Sequence, residues 1–336
     1  MNELLGKLPA AEREKLKKRA QPRWESPMLA TLTQQRFSDE NWIFERKLDG
    51  ERCLAFVSAG EVRLLSRNKK ELNAHYPELA DALAAQAESD FIVDGEVVAF
   101  KGKLTSFTRL QERMHITDPD VARKSDVAVF FYIFDLLYLD GFELTEVPLR
   151  HRKVVLKQAL HFADPLRFVT HRNTEGMDFF NEACEKGWEG IIAKRADSTY
   201  QHSRSRDWLK FKCVMRQEFV IGGYTEPAGS RFGFGALLLG YYDNDTLNFA
   251  GKVGTGFDDE TLRSLHAKMQ DLEQSGSPFA KDSDLPAHDI HWIEPELVAQ
   301  IGFEEWTQHD KLRQPRFLGL REDKAAHDVV RETSQL

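Results

Sequence analysis

Nine residues restrict this chain more than any others: Phe44-Glu45-Arg46-Lys47-Leu48-Asp49-Gly50-Glu51-Arg52. Trp42 to Phe44 on one side and Cys53 to Val57 on the other are apolar and β-prone, so Lys47 falls in a short connection between two strands. Asp-Gly is a strong turn signal, and one reading is a hairpin with a solvated lysine. The other is a lysine held in a pocket as a nucleophile. The stretch by itself supports both equally.

With 336 residues, the chain can bury a sizeable core and is expected to form two domains. No apolar run approaches the ~20 residues of a membrane span. Residues 1–20 carry Arg13, Lys15, Lys17, Lys18 and Arg19 without an apolar core, so the expectation is a solvated amphipathic helix or basic arm and not a signal peptide. Cys53, Cys184 and Cys213 are far apart and have no metal-ligand spacing; the expectation is three buried or idle thiols in a reducing cytoplasm. Net charge is -8, but unevenly placed: residues 1–215 hold 34 Lys+Arg against 33 Asp+Glu, and residues 216–336 hold 12 against 21. Such a total does not exclude a local basic groove.

Along the chain, Cys53–Val57 and Glu61–Ser66 alternate like a hairpin turning at Ala59-Gly60. Helical spacing predicts helices over Glu71 to Ala87, Phe107 to Met114, Leu149 to Phe162 and Gly176 to Lys186. Between them lie strands over Phe91 to Phe100, which encloses Asp94-Gly95-Glu96, and over Val127 to Leu139, whose single charge is Asp135. Glu189 opens a short strand to Lys194. In Arg204 to Lys212 the two lysines Lys210 and Lys212 alternate with apolar residues and share a face. From Glu218 onward, short strands separated by Gly, Pro, Asn and Asp turns predict a small β-barrel, with a helix over Asp258 to Gln274 and strands over Ile290 to Phe303 and Arg316 to Leu320. The fold class is therefore α+β. The expected domains are an arm over 1–26, an α/β region over 27–214, a barrel over 215–326 and a tail over 327–336.

Lys47, Arg52, Arg67, Glu96, Glu189, Lys210 and Lys212 all lie at strand ends inside apolar frames. Each alone has an ordinary reading: a bulge at Asp94-Gly95-Glu96, a helix-to-strand corner at Glu189, a wet strand face for the lysines. Their order is what carries information. Lys47-Leu48-Asp49-Gly50-Glu51-Arg52 resembles motif I (KxDGxR) of the covalent nucleotidyltransferases, which include ATP-dependent DNA ligases, RNA ligases and mRNA-capping enzymes. Ser66-Arg67, Asp94-Gly95-Glu96, Phe134-Asp135, Glu189-Gly190 and Lys210-Phe211-Lys212 resemble the motifs that follow, and Arg316 to Lys324 resembles motif VI. Phe134-Asp135-Leu136-Leu137-Tyr138-Leu139-Asp140-Gly141, Gly254-Thr255-Gly256-Phe257 and Pro315 to Arg321 are most similar to the ligase portion of bacterial end-joining DNA ligases and their stand-alone relatives.

That resemblance implies an adenylation domain followed by an OB-fold, with no further DNA-binding, polymerase or nuclease module. It implies Lys47 as the nucleophile that carries AMP, with Phe134 stacking on adenine and Glu45 reading the base edge. Arg52 and Glu96 would lie near the ribose, Arg67 and Arg204 at phosphates, and Lys210 and Lys212 beside the reacting phosphate. Arg316, Arg321, Asp323 and Lys324 would orient the pyrophosphate leaving group, and Glu96 and Glu189 would hold Mg2+ or Mn2+. Nicked or broken duplex DNA is the implied partner, together with a Ku-type end-binding or other repair protein, for a monomeric, cytoplasmic, nucleoid-associated chain. Attack on ATP needs a neutral amine, whereas a free lysine titrates near ~10.4; neighbouring cations are expected to favour the amine of Lys47. An RNA ligase or a capping-type guanylyltransferase would share motif I. A non-catalytic OB protein that binds nucleic acid would explain the barrel but not the ordered charged residues. Asn68-Lys69-Lys70 departs from the Asn-Gly turn usual after Arg67, and Trp208 and Phe211 are expected in the core.

Overall fold

A computed structural model of the chain describes residues 2–86, 89–213, 215–227, 231–280, 285, 289–304, 306–307 and 309–332. The chain divides into two compact units after Cys213. Ala87, at the end of one expected helix, and the last four residues of the expected tail lie outside the described residues.

Unit 1 contains two sheets. The larger runs in the order Lys17–Lys18, Phe142–Glu143, Val129–Leu139, Phe91–Lys101, Glu51–Ser58, Glu61–Ser66. The smaller runs His171–Asn173, Trp42–Arg46, Gly190–Arg195, Arg204–Lys212, Leu29–Leu32. Strand alternation gives each sheet two apolar faces. One face of the larger sheet packs with the Pro77–Ala84 and Phe107–Met114 helices through Leu79, Leu83, Phe107 and Leu110. Behind the smaller sheet, Phe44, Ile191 and Phe211 pack on Phe179 and Phe180 of the Gly176–Glu185 helix. A further core, including Leu54, Ile92, Phe134, Tyr138, Tyr200 and Trp208, joins residues of both sheets. Phe211 and Trp208 are core residues, as expected.

The lysine connection is the decisive departure from hairpin geometry. Trp42–Arg46 pairs with Gly190–Arg195 and His171–Asn173, whereas Glu51–Ser58 pairs with Glu61–Ser66 and Phe91–Lys101. Lys47 to Gly50 therefore crosses from one sheet to the other. Gly50 is required by close approach: a Cβ there would lie 2.2 Å from the Val97 carbonyl oxygen.

Other differences have local causes. The helix expected from Glu71 begins only at Pro77, because proline suits the first helical turn and disfavours helix in the residue before it. Residues 273–274, expected to be helical, form a short strand, and Pro295 falls in the break between Ile290–Ile293 and Val298–Phe303. The N-terminal segment is not a solvated helix. Leu5 and Leu8 are buried in the larger core, and Lys17–Lys18 pairs with Phe142–Glu143. After Arg67 it is Lys69 that takes the left-handed conformation (φ 65°), closing a turn in which Lys69 N donates to Ser66 O. Nor are all three cysteines free thiols. Cys184, ending its helix, and Cys213, just past its strand, form a disulfide, while Cys53 is free and buried.

Unit 2 is the OB-fold, an antiparallel sheet in the order Thr246–Val253, Leu237–Asp243, Met215–Thr225, Ile290–Ile293, Glu273–Gln274. Val298–Phe303 also pairs with Met215–Thr225, and Arg316–Leu320 extends it. The Asp259–Gln270 helix, capped by Asp258, packs Leu262, Leu265 and Met269 against the strands.

Candidate active site

Main-chain pairing assembles the site. Lys47 N donates to Gly190 O at 3.0 Å, Gly190 lies opposite Lys212, and Cys213 N donates to Glu189 O at 3.0 Å. Three segments distant in sequence thus meet at one end of the smaller sheet. Gly190 adopts φ +149°, and a Cβ there would lie 1.9 Å from the Phe211 carbonyl oxygen, so this corner accepts only glycine. Period-two alternation then puts Glu45 and Lys47, Ile192 and Lys194, and Trp208, Lys210 and Lys212 on one face.

In the larger sheet, Arg52 lies directly opposite Glu96, and Glu96 opposite Tyr132, two residues before Phe134. The register shifts between Asp94 and Gly95, so Asp94-Gly95-Glu96 does sit at a bulge. The bulge turns a buried carboxylate toward Arg52. Asp94 accepts from Arg52 Nε at 2.5 Å and Nη2 at 2.6 Å, and from the Tyr200 hydroxyl at 2.6 Å. The Tyr200 hydroxyl in turn accepts from Met28 N at 2.9 Å. Arg52 also lies over the Phe134 ring, 4.6 Å from its centroid. Burial opposes the charge on Arg52, but Asp94 outweighs it and keeps the guanidinium ionised.

Lys47 Nζ donates to Glu189 Oε2 at 2.6 Å. Burial favours its neutral form, yet Glu189, with Glu96 and Asp49 behind it, dominates and raises its pKa above the usual lysine value. Glu189 thus favours the ammonium form of Lys47; the expectation from sequence, that Lys210, Lys212 and a bound metal favour the amine, concerns the loaded site.

Glu45 is 2% exposed and lies between two lysines. Lys153 Nζ donates to its Oε1 and to the main-chain oxygen of Val169 at 3.1 Å. Lys194 Nζ is 2.7 Å from Oε2, an ion pair without hydrogen-bond geometry. Burial raises the Glu45 pKa, but the two lysines more than reverse this and lower it. Lys194 goes the other way despite its partner: burial, aided by Lys153, outweighs Glu45 and pushes it down to about 8. Its ammonium lies 4.1 Å over Phe134 and 3.9 Å over Trp208. Phe134, the ring expected to stack on a base, is 8% exposed and faces two cations.

Of the other expected residues, Arg67 is half-buried just past its strand. Arg204 is exposed and donates to Ala30 O at 2.6 Å. In unit 2, Arg321 donates to Asp323 at 2.8 and 2.7 Å, Lys324 donates to Glu218 at 3.1 Å, and Arg316 is exposed. Sequence reasoning missed Lys153, Lys194 and Tyr200, and gave no role to Asp94. Asp135 did carry a signal, as a lone charge in an apolar run that needs a partner. Arg152 supplies it through two hydrogen bonds, at 2.7 and 2.8 Å, with both groups fully buried.

Glu96 and Glu189 both act on the Lys47 charge. Two half-buried carboxylates converging beside the nucleophile suit a hard, oxygen-seeking divalent ion. Among the described residues one other acidic cluster occurs, Glu25 and Glu143 with His202, and Arg19 pairs with both of its carboxylates.

Two sheets meet over a half-buried lysine, with carboxylates and cations in the order expected of motifs I to V. Residues 27–212 match the ATP dependent DNA ligase domain and residues 230–324 the ATP dependent DNA ligase C terminal region. The chain belongs to the ATP-dependent DNA ligase family. It is 38% identical over 321 residues to the multifunctional non-homologous end joining protein LigD of Pseudomonas aeruginosa, a match covering 93% of this chain and 37% of that protein. A DNA ligase of Natronomonas pharaonis is 33% identical over 297 residues, covering 85% of this chain and 52% of that protein. Among solved structures, mycobacterial DNA ligase D complexed with ATP and MES superimposes with a TM-score of 0.64 at 36% identity, covering 91% of this chain and 98% of that one. The chain thus spans about half or less of the length of these curated relatives.

Proposed function

We propose that this chain is an ATP-dependent DNA ligase that seals 5′-phosphate/3′-hydroxyl breaks in duplex DNA through a lysyl-AMP. The carrying observation is the Lys47–Glu189 pair, set at the crossing between two sheets and beside Glu96. The Lys47 amine attacks the α-phosphate of ATP; a P–N bond forms, the bond to pyrophosphate breaks, and pyrophosphate leaves. Before attack the Lys47 ammonium loses its proton to solvent, which requires that Glu189 Oε2 no longer hold it in the hydrogen bond of the unloaded chain. Arg52, fixed by Asp94 and Tyr200, orients the nucleoside, and Lys210 and Lys212 offset charge building on the phosphates. A divalent cation such as Mg2+, held by Glu96 and Glu189, would supply further positive charge against the phosphate oxygens. The DNA 5′-phosphate then takes AMP from Lys47, and the 3′-hydroxyl displaces AMP to close the strand.

Residues 27–214 serve in this reading as the adenylation domain and residues 215–326 as the OB domain. Arg316, Arg321 and Lys324 act on the pyrophosphate during adenylation. The name of the LigD relatives supports a role in end joining, and so a Ku-type end-binding protein as the class of partner. No described helix is long and apolar enough to cross a membrane.

The test is incubation with Mg2+ and ATP or GTP labelled at the α-phosphate. Acid-labile, base-stable label is expected from ATP and absent in Lys47→Ala. Absence of label from both nucleotides, or its persistence in Lys47→Ala, would overturn the covalent mechanism. Sealing of nicked DNA in preference to nicked RNA checks the substrate.

A further inference from the structure

A recess of about 600 Å3 opens beside the Leu149–Ala159 helix and the His171–Asn173 strand. None of Lys47, Arg52, Glu96, Glu189, Phe134, Lys210 or Lys212 lines it. Three cations do: Arg150, Lys153 and Lys157, spaced by three and four residues and so on one helix face. Arg150 and Lys157 are exposed, and among the described residues neither has an ion-pair partner. The one carboxylate lining the recess is Glu40. Lys153 is the wall shared with the cleft, since its ammonium is bonded to Glu45.

Two further features make this more than a charged surface. His171 lines the recess, and its Nδ1 is buried without a hydrogen-bond partner, a state that leaves a polar atom unsatisfied. Burial and the charge of Lys153 lower the His171 pKa. Phe168 adds an aromatic wall whose face is approached by the Lys153 and Lys157 ammoniums. A concave site of this volume, part apolar and with a few convergent polar groups, has the dimensions of a small-molecule pocket. Arg and Lys side chains match phosphate oxygens in charge, and Arg also in donor geometry.

We propose that this recess binds a small organic phosphate, a phosphate group on a sugar or aromatic body, with Arg150 and Lys157 holding the phosphate and Phe168 the body. The inference does not depend on the ligase reading, because no residue assigned to catalysis contributes to it. A duplex backbone is the other source of phosphate, but the recess is concave and of small-molecule size.

Calorimetric titration of the full chain with phenyl phosphate tests this, with Arg150→Ala/Lys157→Ala and, separately, Lys47→Ala/Arg52→Ala. Saturable binding in the millimolar range is expected, weakened at least tenfold in the first double variant and changed less than twofold in the second. Both replaced recess side chains are exposed, so an unchanged melting temperature is expected and confirms folding. Lack of saturable binding, equal affinity in the recess variant, or loss in the cleft variant would each overturn the proposal. Displacement of phenyl phosphate by an unbroken duplex from the wild-type recess would assign the site to nucleic acid and overturn it as well.

Discussion

Lys47 Nζ and Glu189 Oε2 lie 2.6 Å apart, and the main chain fixes the pairing, because Lys47 N donates to the oxygen of Gly190, the next residue after Glu189. The carboxylate therefore keeps the nucleophile protonated until the site is loaded. In the metal-free, nucleotide-free chain, Lys47 is expected to titrate above the ordinary lysine range. Competitive acylation across pH, read peptide by peptide, should show Lys47 reacting less than exposed lysines. Glu189→Gln should lower its apparent pKa by at least about one unit, equivalent to ~1.4 kcal/mol. An identical Lys47 profile in both proteins would mean that Glu189 does not hold the proton.

Arg52 depends on residues outside its own motif. Tyr200→Phe removes one hydrogen bond to Asp94 and leaves Met28 N without its acceptor. A hydrogen bond to a charged group is worth ~1.5–3 kcal/mol, so lysyl-AMP formation should fall about tenfold or more. The loss should appear mainly in the KM for ATP, because Arg52 orients the nucleoside and does not react. Unchanged adenylation kinetics would show that Asp94 alone suffices.

Much of this arrangement was legible in the sequence. The strand Arg204–Lys212 and the Phe107–Met114 helix have their expected bounds, because alternation and helical spacing are local properties. Lys47, Glu96, Glu189, Lys210 and Lys212 were legible as an ordered set. What escaped is pairing between distant segments. Nothing near Lys47 distinguishes a hairpin from a crossing between sheets; that depends on where Gly190–Arg195 and Phe91–Lys101 pair. Lys153 resembles any lysine of an amphipathic helix until Glu45 is placed against it. Cys184 and Cys213 are 29 residues apart, and only the packing of a helix against a strand brings their Cα atoms to 5.3 Å.

The glycine of the lysine stretch should be intolerant for steric reasons. Gly50→Ala drives a Cβ to 2.2 Å from the Val97 carbonyl oxygen, a backbone atom that cannot swing away. A loss of at least ~2 kcal/mol is expected, as for other overpacked buried positions. Gly60→Ala is the control. Its φ is +81°, but nothing lies within 4 Å of the new Cβ, so the cost is limited to backbone strain of about 1 kcal/mol. Denaturant unfolding of unit 1 separates the two; equal costs would mean that the crossing relaxes around the added methyl group.

The buried Lys153–Glu45–Lys194 group makes a signed prediction about pH. Lys194 titrates at about 8 in the folded chain, against 10.5 for an ordinary lysine. Between those values the unfolded chain holds more protons than the folded one, so this group makes stability rise as pH increases from 8 to 10.5. Below pH 8 the buried ammonium is a liability on the order of 3 kcal/mol. Measured as a difference from Lys194→Met, which cancels the other titrating groups, the wild type should gain stability across that window. Glu45→Gln should act oppositely and more severely at pH 7, costing ~3–5 kcal/mol, because it leaves two buried lysines without a counterion. Lys194→Met should be mild by comparison, since Lys153 still neutralises Glu45. A flat difference profile from pH 8 to 10.5, or equal losses in the two variants at pH 7, would show that Lys194 escapes to solvent instead of sharing the carboxylate.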